Sequence, residues 1–129
     1  MVSKEFFGQD ACFDHVGIAV RSIDDAVTGA QAIVDPVQKV AVAFININNF
    51  RVELVEPLNE ASPICNMLKK QQNLYHICFK VNDIEGAIEQ ARKNSFHCIA
   101  NPVPAIAFEN KRIAWLFSRT YGLIELLEK

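Results

Sequence analysis

Short apolar runs with strand-like alternation occur twice in this chain, each leading into a stretch with helical spacing. Residues 13–20 (FDHVGIAV) and 74–81 (LYHICFKV) are rich in β-branched and aromatic residues and are followed by polar residues suited to helix capping. Both read as strands. Ser22 or Asp24 after the first, and Asn82 or Asp83 after the second, can accept hydrogen bonds from the free N–H groups that open a helix. Ile84, Ala87, Ile88 and Ala91 then recur at helical spacing. The first helix is expected to be short, because Thr28 and Gly29 weaken it and Pro36 forbids its continuation. Ser62 as N-cap and Pro63 as first helical residue open a further helix through Ile64, Met67 and Leu68. Residues 94–108, interrupted by Pro102 and Pro104, are expected to be irregular, with at most a short strand.

The two halves repeat one another. FDHVGIAVRSIDDAV from Phe13 aligns without gaps on LYHICFKVNDIEGAI from Leu74, which matches His15 to His76, Val20 to Val81 and Ala26 to Ala87. VELVE at 52–56 is echoed by IELLE at 124–128, so Glu53 matches Glu125, and another apolar run precedes each: VAVAFIN at 40–46 and RIAWLFS at 112–118. Each half therefore reads as strand, helix, then strands. The expected organisation is one domain over 1–129, with module one at about 11–60, a bridging helix at about 62–70 and module two at about 73–129.

Alternation along a strand decides which residues share a face. Val16, Ile18 and Val20 oppose His15, while Ile77, Phe79 and Val81 oppose His76. Apolar neighbours likewise flank Glu53 and Glu125, so all four polar residues are expected on the uncovered side of the sheet. An ionised carboxylate in an apolar strand is costly unless it is paired or bound to a cation. Two imidazoles and two carboxylates suit one divalent ion: zinc, nickel, cobalt, manganese or ferrous iron. Such a set leaves coordination positions open for a substrate oxygen. A lone strand histidine is ordinarily a core or surface residue; recurrence at matching repeat positions separates His15 and His76 from that case. His97 has no repeat partner and is expected at the surface.

Charge and composition narrow the partners. A formal charge of -2 and the absence of any basic block argue against nucleic acid. No apolar stretch approaches the roughly 20 residues that span a bilayer, and the N-terminal residues lack the apolar run of a signal peptide. A cytoplasmic protein is expected, with no membrane partner and with Cys12, Cys65, Cys78 and Cys98 reduced and buried.

DHVGIAV at Asp14, IDDA, VAFI, VELVEPL, SPI at Ser62, YHICFKVNDIEGAI and GLIELLE at Gly122 together resemble the methylmalonyl-CoA epimerase branch of the vicinal oxygen chelate (glyoxalase-like) superfamily. The resemblance implies an α+β fold of paired βαβββ modules, with a cup-shaped sheet around a metal site and helices outside, commonly within a homodimer. It also implies roles: metal ligands at His15, Glu53, His76 and Glu125, and a catalytic proton-moving carboxylate at Glu125. The implied reaction is proton transfer next to the carbonyl of a small acyl thioester such as an acyl-CoA. The alternatives within the superfamily are a glyoxalase I-type lactoylglutathione lyase and a non-catalytic drug-binding protein. Lys111, Arg112 and Arg119 are candidate cations for a substrate carboxylate or phosphate, and Trp115 is a candidate wall of the site. Where some family members carry a second carboxylate, this chain has Val42. The preceding region is compressed, so a strand of module one is expected to be shortened or absent.

Overall fold

The computed structural model describes residues 1–129. Its elements in chain order are β1 (Cys12–Ala19), α1 (Ile23–Ala26), β2 (Ile33–Asp35), β3 (Val40–Ile47), β4 (Phe50–Pro57), α2 (Ile64–Lys69), β5 (Leu74–Val81), α3 (Ile84–Arg92), β6 (His97–Pro104), β7 (Arg112–Ser118) and β8 (Gly122–Glu128), with a 3-10 turn at Ile106–Phe108. The strands hydrogen-bond in the order β2-β3-β4-β1-β5-β8-β7-β6. Both halves of the chain thus run strand, helix, three strands, as the repeat predicts. Contacts divide the chain into two compact units.

The first unit comprises Met1–Asp14, Ile77–Pro104 and Lys111–Lys129. Within it β5 runs parallel to β8, while β7 is antiparallel to both β8 and β6. Ile84, Ala87, Ile88 and Ala91 form the buried face of α3 and pack with Val81, Ala114, Leu116, Ile124 and Leu126. Each fully buried valine, leucine or isoleucine side chain among these contributes roughly 1.5–3 kcal/mol. Phe7 and Phe96 join the same core. Asp83 is the N-cap of α3, its Oδ1 accepting from the Gly86 amide at 3.0 Å.

The second unit comprises His15–His76 and Ala105–Asn110. Here β1 runs parallel to β4, and β3 is antiparallel to β4 and β2. Asn48 and Asn49, both with positive φ, turn β3 tightly into β4, a conformation that Asn tolerates better than most residues. Two apolar clusters stabilise the unit: Ala19, Val40, Val42, Val55, Ile64 and Leu68 form one, and Ile23, Ala41, Ala43, Val52 and Leu54 the other. Ser22 caps the four-residue α1 by accepting from the Asp25 amide. That helix is as short as expected, and β2 is present but only three residues long.

Several expectations need correcting. Residues 97–104 form a full eight-residue strand, β6. It pairs only with β7 and carries register shifts between Cys98 and Val103, so Pro102 and Pro104 sit on an edge strand where a missing N–H is tolerated. Pro63, not Ser62, occupies the cap position of α2, while Ser62 Oγ still accepts from the Ile64 amide at 3.4 Å. Of the cysteines only Cys78 is buried; Cys12 is exposed, and Cys65 and Cys98 are partly exposed. His97 is exposed, as expected.

Candidate metal centre

The second unit brings three of the four candidate ligands together. In the parallel register of β1 and β4, Gly17 is the partner of Glu53, and His15 lies two residues back on the Gly17 face. The Ala19 amide donates to the Asn73 carbonyl at 2.7 Å, which holds the start of β5 beside β1. His15 Nε2 and His76 Nε2 then stand 3.2 Å apart. Glu53 Oε1 lies 3.6 Å from the first nitrogen and 3.4 Å from the second. A point equidistant from three atoms so spaced is about 2 Å from each, the length of a bond from zinc to imidazole nitrogen or carboxylate oxygen.

These groups are deeply buried: His15 is 0% exposed, His76 2% and Glu53 4%. The polar face is thus more deeply covered than expected, although the apolar residues opposite it pack with the helices as expected, Val52 and Leu54 with Ile23, and Val81, Ile124 and Leu126 with Ile84. Alternation identifies which residues share a face, but here the face of His15 is buried, while Val16, Ile18 and Val20 opposite it are only half-buried. A buried carboxylate between two imidazoles suits a shared cation, which would offset the desolvation of all three. The residues present therefore fit a divalent ion, and His15, Glu53 and His76 form a group able to hold one.

Aromatic rings fix the imidazoles. Phe108 stacks on His15 at 5.7 Å between centroids, and Phe44 meets it edge-on at 5.6 Å. Tyr75 meets His76 edge-on at 4.8 Å. Phe44 is also the cross-strand partner of Glu53. Gly17 is required by the same packing: a Cβ built on it would come within 3.0 Å of three atoms of the His76 ring.

Glu125 lies in the first unit, 2% exposed, on β8. Its strand neighbours are Cys78 on β5 and Trp115 on β7. The offset that carries His15 onto His76 also carries Gly17 onto Cys78. The pairing of Cys78 with Glu125 therefore repeats that of Gly17 with Glu53.

The candidate substrate cations fare differently. Lys111 and Arg119 are exposed. Arg112 is engaged by its own unit: Nε donates to Glu128 Oε2 at 2.9 Å, and Nη1 to Glu85 Oε1 at 2.7 Å. These hydrogen bonds hold both carboxyls below their usual range. Trp115 is half-buried. Val42 is buried opposite Val55 and supplies no acid or base. Sequence reasoning missed Gly17, Phe44 and Phe108. For Gly17 the signal was present, since the smallest residue stands where the repeat has Cys78. Phe108 lay in a stretch without periodicity.

Comparison with known proteins agrees with this architecture. Residues 14–115 match the family model of the Glyoxalase/Bleomycin resistance protein/Dioxygenase superfamily. The chain belongs to that superfamily and has the α+β fold of paired βαβββ modules. Among its relatives is the mitochondrial methylmalonyl-CoA epimerase of Homo sapiens, 32% identical over 88% of this chain and 71% of the human protein. Among solved structures, a hypothetical protein from Bacillus halodurans superposes with a TM-score of 0.75 at 32% identity, covering 94% of this chain and 96% of that one. A variant of Streptomyces coelicolor methylmalonyl-CoA epimerase in complex with 2-nitronate-propionyl-CoA superposes with a TM-score of 0.74 at 24% identity, covering 91% and 93%. No helix of this chain is long and apolar enough to cross a membrane.

Proposed function

We propose that this chain is an epimerase of a malonyl-type acyl-CoA thioester, and that His15, Glu53, His76 and Glu125 hold one divalent ion at its centre. The observation that carries the reading is the convergence of His15 Nε2, His76 Nε2 and Glu53 Oε1 around a point at ligand-bond distance. The human relative, named for methylmalonyl-CoA, supports the substrate class. Glu125 enters as the fourth ligand on its repeat equivalence to Glu53.

A divalent ion bound there supplies Lewis acidity, stabilising the negative charge that develops on a thioester carbonyl as the adjacent carbon loses its proton. His15 and His76 contribute neutral imidazole nitrogens. Phe44 and Phe108 restrain the His15 ring and keep water from its faces. Glu125 is the base that takes the proton from the carbon next to the carbonyl. With Val42 unable to return a proton from the opposite side, exchange is the more direct measure of this chemistry than net inversion.

The test is incubation of methylmalonyl-CoA with the protein in deuterated water, with zinc, nickel, cobalt, manganese and ferrous iron supplied in turn. Mass spectrometry is expected to find deuterium on the carbon between the two carbonyl groups. If protein that elemental analysis shows to be metal-loaded gives no incorporation, the activity is overturned. Formation of S-lactoylglutathione from the hemithioacetal of methylglyoxal would replace it with the lyase reading.

A further inference from the structure

The ligand groups of the second unit are shut in: His15 is 0% exposed, His76 2% and Glu53 4%. An ion reaches them only after some part of their cover moves. The rings packed on the two imidazoles differ in how firmly the backbone holds them. Phe44 belongs to β3 and Tyr75 to β5, so moving either means breaking strand pairing. Phe108 belongs to the 3-10 turn, within the segment Ala105–Asn110 that packs with the second unit although it joins β6 to β7 of the first. It stacks on His15 at 5.7 Å between centroids and 20° between planes, and it meets Phe44 at 5.5 Å.

The turn is built to move as one piece. Its hydrogen bonds close it on itself: the Ala105 carbonyl accepts from the Phe108 amide at 3.1 Å and from the Asn110 amide at 3.0 Å, and the Ile106 carbonyl from the Glu109 amide at 3.2 Å. A displaced turn carries these bonds with it, so opening does not sacrifice them. What holds it down is apolar. Ala105 and Phe108 are buried and Ala107 packs with the cluster around Ala19 and Val55, whereas Ile106, Glu109 and Asn110 are exposed. Glu109 and Asn110 have φ of 58° and 65°, a left-handed conformation in consecutive residues that are not glycine. That conformation is costly, for Glu more than for Asn, so the closed turn stores strain that a shift of φ relieves.

We propose that the turn Ala105–Asn110 is the gate of the metal centre, with Phe108 as its latch over His15: the ion enters and leaves when the ring swings away. This rests on the metal site proposed above. A gate that closes alike over the empty and the loaded site slows entry and release by the same factor and leaves their ratio, the affinity, unchanged. A ring that only held the imidazole in place would act on release and affinity and leave entry alone.

The test follows cobalt(II) by its visible absorption in stopped flow, entering metal-free protein and leaving loaded protein to a chelator, for wild type, Phe108→Leu, Phe108→Ala and Phe44→Leu. Phe108→Ala is expected to speed both entry and release by about 10- to 100-fold, the factor set by the burial of one phenylalanine ring, with affinity nearly unchanged and Phe108→Leu in between. Phe44→Leu, which alters the packing on His15 from a strand, is expected to leave entry at the wild-type rate. Faster release with unchanged entry overturns the gate and makes Phe108 a positioning residue for His15. Equal speeding by Phe44→Leu also overturns it, as do wild-type rates in both Phe108 variants. Phe108→Leu carries the test if Phe108→Ala fails to fold. If the wild-type protein binds no cobalt, the metal reading fails, and the gate is decided separately by carbethoxylation of His15 with diethyl pyrocarbonate. Peptide mass spectrometry locates the modification, with the exposed His97 as reference. Faster modification of His15 in the Phe108 variants supports the gate, and equal rates overturn it.

Discussion

The imidazole of His76 occupies the space that a side chain at Gly17 would need. A Cβ there would come inside 3.0 Å of Cε1, Nδ1 and Nε2 of that ring. The ring is confined on another side by Tyr75. Gly17→Ala must therefore displace His76 Nε2 from its place beside His15 and Glu53. The expected result is a weakening of metal binding by at least about tenfold, together with a loss of about 1–3 kcal/mol in stability from overpacking. Metal titration alongside thermal melts of the metal-free protein separates the two effects.

His76→Ala removes a ligand outright. Loss of an outer partner of a metal ligand typically costs about 10- to 100-fold in affinity, so loss of a ligand is expected to cost more than about 100-fold. Elemental analysis of the purified variant beside wild type is the measurement. Equal metal content in both would remove His76 from the site.

Gly86 presents a contrast between local propensity and packing. It lies in α3, where alanine is ordinarily worth about 1 kcal/mol more than glycine. Its Cβ, however, would collide with the Asp83 carboxylate that caps the helix. Gly86→Ala is expected to give no stabilisation, while Asp83→Ala costs about 1 kcal/mol and Asp83→Asn much less. Urea denaturation of the three variants checks the order.

Arg112 ties the start of α3 to the end of β8 through Glu85 and Glu128. Its hydrogen bonds lower both carboxyl pKa values below 4.5 in the folded state. The unfolded chain then binds more protons in the window beneath 4.5, so stability from this pair is complete above it and lost as pH falls through the folded values. Glu85 is exposed and Arg112 and Glu128 are only half-buried, so the effect is expected to be small and to shrink in salt. Arg112→Met should flatten the fall in urea midpoint between about pH 5 and pH 3, measured at low ionic strength.

The parts of the fold legible in the sequence were those written twice. β1 and β5 with their histidines, and β4 and β8 with their glutamates, stand out because each pattern has a counterpart in the other half. β6 did not, because Pro102 and Pro104 mask a strand whose edge position makes them tolerable. The burial of His15 was illegible for another reason. Alternation assigns side chains to faces, but what covers a face depends on distant segments, here including Phe108 in a turn without periodicity.

The register Gly17↔Glu53 also governs where this chain can accept extra residues. Because side chains alternate, one residue inserted within β4 ahead of Glu53 would turn that carboxylate to the opposite face if the pairing beyond it were kept. The two-residue turn at Asn48 and Asn49 gives little slack to absorb such a slip. The segment between α1 and β2 is not bound by this register, and Gly29, with positive φ, has no atom within 4 Å of a would-be Cβ. Length variation among homologues is therefore expected there, and a peptide tag inserted after Gly29 should leave metal affinity intact, whereas a single alanine added between Arg51 and Val52, inside β4 and ahead of Glu53, should abolish it.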